Sequence, residues 1–299
     1  MKIKEFSKKQ GEILKFIREP ENILICDGAV RSGKTVVMVL AYLIWAMEYF
    51  SKCNFGICGK TVTNAEKNIL KPLMQIEGTP YHFIYKLSNR CLTVRCGERE
   101  NYFYLYGGKD ESSYMLIQGI TLAGVMFDEV ALMPQSFVDQ AIARTLSYKN
   151  AKLWFNCNPE SSNHWFYKDW IENNPKGAKR LHFLMSDNPI LGADEIERAN
   201  TMFSGVFYDR YILGKWVAAD GLIYDMFYPD LHIKNVSGMK FDKYYISVDY
   251  GTQNPTVFLL FGRNGGRWYG VKEYYYSGRD KQKQKTDSEY ADDMVQFVG

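Results

Sequence analysis

The chain has 299 residues, of which 46% are hydrophobic and 15% aromatic, and its formal net charge is +3. This composition excludes an intrinsically disordered protein, and the length fits two domains better than one. The small charge neither requires nor excludes a nucleic-acid partner, because a balanced chain can still carry a local basic surface. The first residues contain no apolar signal-peptide core, and the apolar run from Val36 to Met47 is short for a membrane span.

The chain has six cysteines: Cys26, Cys53, Cys58, Cys91, Cys96 and Cys157. Two pairs are spaced five apart, which is looser than the usual structural zinc pattern, and no histidine cluster accompanies them. We expect reduced thiols packed in or near strands. That pattern is typical of a reducing compartment, so we expect a protein of the cytoplasm.

The hydrophobic pattern predicts alternating helices and strands over the first two hundred residues. A polar helix at 7–18 precedes a strand at 23–26, an apolar helix at 34–49, a strand at 54–58 and a helix at 64–75. Strands at 92–95 and 102–106 are interpreted as an inserted β-hairpin, and further strands follow at 124–127, 152–155 and 180–184, then a helical region at 193–213. The alternation is typical of a parallel sheet covered by helices on both faces.

A second domain is predicted after an irregular segment. Residues 214–240 show no clear period and are interpreted as a linker, which leaves 1–213 as the first domain and 241–299 as the second. Strands are expected at 244–249, 256–260 and 268–273, separated by glycine-rich turns, and a helix is expected within 281–297.

A complete phosphate-loop motif, the Walker A pattern, lies between the first strand and the apolar helix. It consists of Gly28, Ala29, Val30, Arg31, Ser32, Gly33, Lys34 and Thr35. Backbone N–H groups of such a loop surround a phosphate, and the positive end of the following helix points at the same oxygens. Lys34 is expected to reach the β- and γ-phosphates, and Thr35 to ligate magnesium. The motif predicts a nucleoside triphosphate site.

An apolar strand that ends in two acids, the Walker B pattern, supplies the second half of this site. In Val125-Met126-Phe127-Asp128-Glu129, Asp128 is expected to hold the magnesium and Glu129 to polarise the attacking water. The second acid favours hydrolysis over simple nucleotide binding.

Four further features complete the candidate site. Arg31, within the loop, either contacts the γ-phosphate or the pocket glutamate, or is a solvated loop residue. Arg144 is either a finger for a neighbouring subunit or a surface charge. Gln10 offers a donor and an acceptor that suit an adenine edge. Asn156-Cys157-Asn158-Pro159 follows a strand end, where it either senses the γ-phosphate or forms an ordinary Asn-Pro turn.

The order of these motifs resembles the large subunit of the tailed-phage terminases, and within it the PBSX-type branch. The resemblance implies a RecA-like (ASCE) P-loop ATPase of the α/β class, followed by an RNase H-like nuclease. It implies an ATP- and magnesium-dependent motor that packages double-stranded DNA through a portal protein ring with a terminase small subunit. The motor would be a homo-oligomeric ring when assembled and a monomer in isolation. It also implies that Gln10 contacts adenine, that Arg31 contacts phosphate, and that Asn156, Cys157 and Asn158 couple hydrolysis to movement.

The resemblance extends to Asp249, which ends a predicted strand and matches the first acidic motif of the nuclease. Such nucleases hold two Mg²⁺ or Mn²⁺ ions with several carboxylates. The later acidic strands are not within these 299 residues, and neither Asp225 nor Glu273 lies where a second ligand is expected. We therefore expect an incomplete nuclease domain without competent cleavage. Either the sequence is a fragment of a longer protein, or the protein has lost cleavage.

Two other functions remain open from the sequence. One is a different RecA-like, DNA-directed ATPase such as a helicase, although nothing after residue 240 resembles a second RecA-like lobe. The other is a nucleotide-gated assembly module that needs partner subunits for catalysis.

Overall fold

The computed structural model describes residues 5–218, 232–251 and 254–299. The chain divides into two compact units, Met1–Ile223 and Tyr224–Gly299. The boundary between them falls outside the described residues, within the predicted linker. Residues 214–217 at the start of that linker pack within the first unit, where Trp216 is buried in an apolar cluster.

The first unit contains eight strands and seven α-helices among its described residues. The strands are β1 (Ile23–Gly28), β2 (Asn54–Gly59), β3 (His82–Lys86), β4 (Cys91–Cys96), β5 (Arg99–Gly107), β6 (Gly124–Asp128), β7 (Lys152–Asn156) and β8 (Lys179–Phe183). The helices are α1 (Lys8–Lys15), α2 (Lys34–Tyr49), α3 (Val62–Ala65), α4 (Lys71–Met74), α5 (Gln135–Ala143), α6 (Ala193–Met202) and α7 (Gly205–Tyr211). A π-helical turn, Glu66–Leu70, joins α3 to α4. The predicted helical region at 193–213 is therefore two helices.

All eight strands form one sheet in the order β3-β4-β5-β2-β6-β7-β1-β8. The pairs from β5 through β8 are parallel, which confirms the predicted parallel sheet. Strand β7 lies between β1 and β6, so the carboxyl ends of these three strands meet at one edge. Ligands of open α/β sheets bind at that edge.

The interpretation of 92–106 as an inserted hairpin is wrong in one respect. Strand β5 pairs antiparallel with β4 and also pairs in parallel with β2, so it is part of the main sheet. Strand β3, which the sequence analysis missed, adds an antiparallel edge, and its alternating exposed and half-buried residues give it only a weak apolar pattern. Local turn chemistry identified the hairpin but carries no information on which distant strand pairs with its free edge.

Both faces of the sheet are covered. On one face, alternate strand residues such as Met126 and Trp154 pack against the apolar helix α2, where Tyr42 and Trp45 are almost fully buried. On the other face, Phe127 and Phe155 stack 4.9 Å apart under the chain that follows β6 and β7. Each large side chain buried this way contributes about 1.5–3 kcal/mol. The central strands are consequently continuous apolar runs, as expected when both faces are covered.

The second unit has three antiparallel strands, β9 (Lys243–Asp249), β10 (Thr256–Asn264) and β11 (Arg267–Tyr276), in the order β11-β10-β9. Helix α8 (Asp287–Val298) follows, and its Tyr290 and Phe297 pack against Phe258 of β10. The three predicted strands and the helix are confirmed.

All six cysteines are free thiols in the structure. Across residues 5–218, 232–251 and 254–299, every helix is too short or too polar to cross a bilayer.

Candidate active site

The phosphate loop connects the end of β1 to the start of α2, as predicted. Gly28 has φ +132°, and a Cβ there would lie 2.0 Å from the carbonyl oxygen of Phe183 on the adjacent strand β8. The same carbonyl accepts a hydrogen bond of 2.7 Å from the N–H of Ala29. Gly33, with φ +77°, turns the chain into the helix. Only glycine meets both requirements without strain.

Lys34 lies almost completely buried inside the loop, with 5% of its surface exposed. Its Nζ donates to the carbonyl oxygens of Gly28 at 3.3 Å and Ala29 at 3.0 Å, and to Oδ1 of Asn158 at 2.8 Å. Burial lowers the pKa of Lys34, because the ammonium is removed from water. A bound anion would restore favourable surroundings for this charge.

Asn156 joins the two residues predicted to hold magnesium. Its Nδ2 donates to Oγ1 of Thr35 at 2.8 Å and to Oδ1 of Asp128 at 2.5 Å. Burial raises the pKa of Asp128, while hydrogen bonds from Asn156 and Asn68 oppose that rise by favouring the carboxylate. A hydroxyl and a carboxylate held close together are hard oxygen donors, so this pair fits Mg²⁺.

Glu129 has a left-handed backbone, with φ +57° and ψ +45°, immediately after β6. This conformation costs a non-glycine residue roughly 1–3 kcal/mol and is found preferentially at functional sites. Burial and then the neighbouring charge of Asp128 raise the pKa of Glu129. The side chain lines the same cleft as Lys34.

One open cleft of about 610 Å³ brings most of the predicted residues together. It is lined by Val30, Arg31, Ser32, Gly33, Lys34, Thr35, Val36, Lys67, Asn68, Pro72, Asp128, Glu129, Asn156, Cys157, Asn158, Asn188, Ile190 and Leu191. The phosphate loop, the Walker B acids and the predicted coupling residues therefore share one site.

Two segments of this lining were not predicted as parts of the site. Lys67 and Asn68 come from the π-helical turn, whose extra residue has no sequence signature. Asn188, Ile190 and Leu191 follow strand β8, and Asn188 donates to the carbonyl oxygen of Arg31 at 2.7 Å. The Asn-Pro pair at 188–189, after a strand like the pair at 158–159, was the available signal.

Gln10 and Arg144 lie outside the cleft lining. Gln10 caps helix α1 together with Ser7, and its Nε2 reaches the carbonyl oxygen of Gly33 at 3.5 Å, so it packs behind the phosphate loop. Arg144 follows helix α5, and its carbonyl oxygen accepts from Leu122 just before β6 begins. That position is at the amino edge of the sheet, opposite the cleft.

Asp249 ends strand β9 and is exposed. Among the described residues, no three His, Cys, Asp or Glu side chains approach closely enough to hold a metal ion together. The nuclease assignment of Asp249 stays a prediction.

The family follows from the chain's match to known proteins. Residues 25–227 match the model described as "Terminase large subunit, T4likevirus-type, N-terminal". The chain belongs to the terminase large subunit family. The large terminase of a thermophilic bacteriophage is 49% identical, with a TM-score of 0.70, over 99% of this chain and 74% of that one. The same phage protein in complex with ATP-gamma-S matches with 47% identity and a TM-score of 0.68, over 98% of this chain and 74% of that one.

A curated relative, the terminase large subunit of Escherichia phage T5, is 25% identical over 179 residues. The match covers 56% of this chain and 40% of that protein, so this terminase chain spans well under half of the curated relative. The comparisons confirm the predicted family and the RecA-like α/β fold of the first unit. The PBSX-type branch stays a prediction.

Proposed function

We propose that this chain binds and hydrolyses ATP with magnesium, and that it supplies the ATPase of a motor that packages double-stranded viral DNA. The observation that carries the proposal is the single amide of Asn156 that joins Thr35 to Asp128 beside the buried Lys34. The thermophilic phage relative, with 47% identity, is described in complex with ATP-gamma-S. The other proposed components are a portal ring, a small subunit and further copies of this chain.

In the proposed reaction, Thr35 and Asp128 would hold Mg²⁺, which when bound would neutralise charge on the phosphates. The loop N–H groups and Lys34 orient the triphosphate. Glu129 accepts a hydrogen bond from a water molecule and aligns it with the γ-phosphorus. The new P–O bond forms as the bond to the β–γ bridging oxygen breaks, and the water's proton passes to Glu129.

Asn158 is proposed to couple the state of the γ-phosphate to the rest of the chain. Its Oδ1 accepts from Lys34 at 2.8 Å, the same ammonium that a γ-phosphate attracts. A bound triphosphate therefore competes with Asn158 for Lys34, and loss of the phosphate restores the contact. Asn156, Cys157 and Asn158 all line the cleft, which suits the proposed coupling motif.

Three other assignments belong to the same proposal. Arg31 lines the cleft and is proposed to contact the γ-phosphate. Arg144 lies away from this cleft, so as a finger it would serve the site of a neighbouring subunit. Gln10 contacts Gly33 of the loop and is proposed to contact adenine with its remaining donor and acceptor capacity. In the second unit, Asp249 is proposed as one ligand of a nuclease metal site that needs further carboxylates.

The test is magnesium-dependent ATP hydrolysis by the full chain, with and without DNA, together with binding of a fluorescent ATP analogue. Lys34→Ala is expected to abolish binding. Glu129→Gln is expected to keep binding while hydrolysis falls by a factor of about 100 or more. Lys149→Ala, an exposed lysine after helix α5, is the matched control and should behave as wild type.

Normal hydrolysis by Glu129→Gln would show that the water is activated elsewhere. Normal nucleotide binding by Lys34→Ala would refute the proposed site.

A further inference from the structure

The back of the phosphate loop is covered by residues 210–217, which we call the strap. Its second half, 214–217, was interpreted as linker from the sequence. In the structure the N–H of Val30, inside the phosphate loop, donates to the carbonyl oxygen of Tyr211 at 3.0 Å. The strap therefore contacts the nucleotide-binding loop through its backbone.

Gly214 brings the strap into close contact with the loop. Its φ is +63°, and a Cβ there would lie 2.7 Å from the nitrogen of Ala29 and 2.8 Å from Cα of Gly28. Real Cβ atoms do not approach backbone this closely, so any side chain at this position displaces either the strap or the loop.

Trp216 ties the strap to Asp27, the residue immediately before Gly28. The indole Nε1 donates to Oδ2 of Asp27 at 2.8 Å. Asp27 is fully buried and also accepts from Nε and Nη2 of Arg180, at 2.9 and 2.7 Å. A buried carboxylate needs all of these donors, because each one replaces a lost contact with water.

The strap also reaches Glu160, two residues after the proposed coupling residue Asn158. Nη1 of Arg210 lies 3.3 Å from Oε2 of Glu160, while its Nε and Nη2 donate to the strap's own Val217 carbonyl oxygen. The strap thus contacts the loop, the residue before the loop and the residue after Pro159.

We infer that Trp216 and Gly214 are positioning residues for nucleotide binding, with Trp216 acting through Asp27. The inference rests on the proposed function of the loop. Because coupling between two sites is reciprocal, a seated strap favours phosphate binding and a bound phosphate stabilises the seated strap.

The first experiment uses the wild-type full chain and amide hydrogen exchange. Addition of Mg-ADP is expected to slow exchange in peptides that cover 210–217 as well as in those that cover the phosphate loop. Protection of the phosphate loop with unchanged exchange in the strap would overturn the inference.

The second experiment compares two glycines that share a positive φ. Gly214→Ala and Gly205→Ala both put a side chain on left-handed backbone, with φ +63° and +55°, but a Cβ at Gly205 meets nothing within 4 Å. Gly214→Ala is expected to weaken binding of fluorescent ADP at least about fivefold, and Gly205→Ala to leave it unchanged.

The third experiment compares two buried tryptophans. Trp216→Phe removes the donor to Asp27, whereas Trp154→Phe removes an indole N–H that is buried without a hydrogen-bond partner in the described structure. The two variants lose similar side-chain volume, so thermal unfolding measures what the lost packing costs in each. ADP binding then measures the positioning role, which only Trp216→Phe removes. Trp216→Phe is expected to weaken ADP binding about fivefold or more relative to Trp154→Phe.

Wild-type ADP affinity in both folded strap variants would overturn the inference and leave the proposed function intact. A wild-type chain that binds no nucleotide would instead refute the proposed function, and this inference with it.

Discussion

At the residue scale, one side-chain amide joins the two residues proposed to hold magnesium. Asn156 is 3% exposed, and its nitrogen is shared by Thr35 and Asp128. Without this donor the buried carboxylate of Asp128 loses a hydrogen bond, and a hydrogen bond to a charged group is worth about 1.5–3 kcal/mol.

Asn156→Ala is therefore expected to raise the magnesium concentration needed for ATP binding by about tenfold, the lower end of that range. Nucleotide binding in EDTA should change little, because the phosphate loop is intact. Titration of magnesium in the presence of a fluorescent ATP analogue measures the magnesium requirement. Titration of the analogue in EDTA measures nucleotide binding without metal. Asn158→Ala, which contacts Lys34 instead, is the control, and an equal magnesium shift in both variants would contradict this role for Asn156.

Asp27 makes a pH-dependent contribution to stability. Burial acts to raise its pKa, but the neighbouring His182 and the hydrogen-bonded Arg180 outweigh burial and lower that pKa from 3.8 to about 2. A carboxyl group whose pKa is lower in the folded protein than in the unfolded chain stabilises the fold at pH values above its pKa in the unfolded chain. That contribution is lost as the pH falls towards its pKa in the folded protein. The window is therefore about pH 4 to pH 2, and the contribution is about 2 kcal/mol.

Urea unfolding of wild type and Asp27→Asn at a series of pH values tests this sign. The wild type should be the more stable at pH 5 and above, and its advantage should shrink steadily below about pH 4. An advantage that stays constant down to about pH 2.5 would show that the Asp27 charge is not the cause.

At the element scale, the π-helical turn Glu66–Leu70 places Lys67 and Asn68 in the cleft. A π-turn carries one residue more than an α-helical turn and is found frequently at functional sites. Asn68 lowers the pKa of Asp128 by favouring its charged form, as Asn156 does from strand β7. Two amides from separate elements thus support one buried carboxylate.

Asn68→Ala is expected to weaken magnesium-dependent ATP binding by about three- to tenfold, in line with one hydrogen bond of about 1 kcal/mol. Asn64→Ala, one turn earlier on the same helical segment, is the matched control and should bind normally. Calorimetric titration with Mg-ATP provides the comparison. Equal affinities of the two variants would assign Asn68 no part in the site.

Features set by the local sequence could be predicted, and features set by distant parts of the chain could not. The phosphate loop, the acids after β6 and the amides after β7 were identified because local backbone demands and phosphate chemistry fix their residue types. The pairing of β5 with β2 and the packing of Trp216 on Asp27 were missed, because both depend on partners far away in the chain. Asn68 was missed because the π-helical turn that places it in the cleft has no sequence signature.

At the scale of the whole molecule, the two compact units have separate apolar cores. The first is built on both faces of the eight-stranded sheet, and the second on Phe258, Tyr290 and Phe297. Units with separate cores can unfold separately, and a ligand stabilises only the unit that binds it.

Thermal unfolding of the full chain is therefore expected to show two transitions, of which Mg-ADP raises one. At a ligand concentration of about 100 times the Kd, the stabilisation is about 2.7 kcal/mol, which raises the Tm of a unit this size by roughly 5–10 °C.

Trp268 is the one tryptophan of the sequence after residue 223, so its replacement by Phe leaves a tryptophan fluorescence signal from the first unit alone. In that variant the whole fluorescence transition should shift with ADP, and Lys34→Ala should abolish the shift. A single transition that moves as a whole would mean instead that the units unfold together, because coupled unfolding spreads the ligand's stabilisation over both.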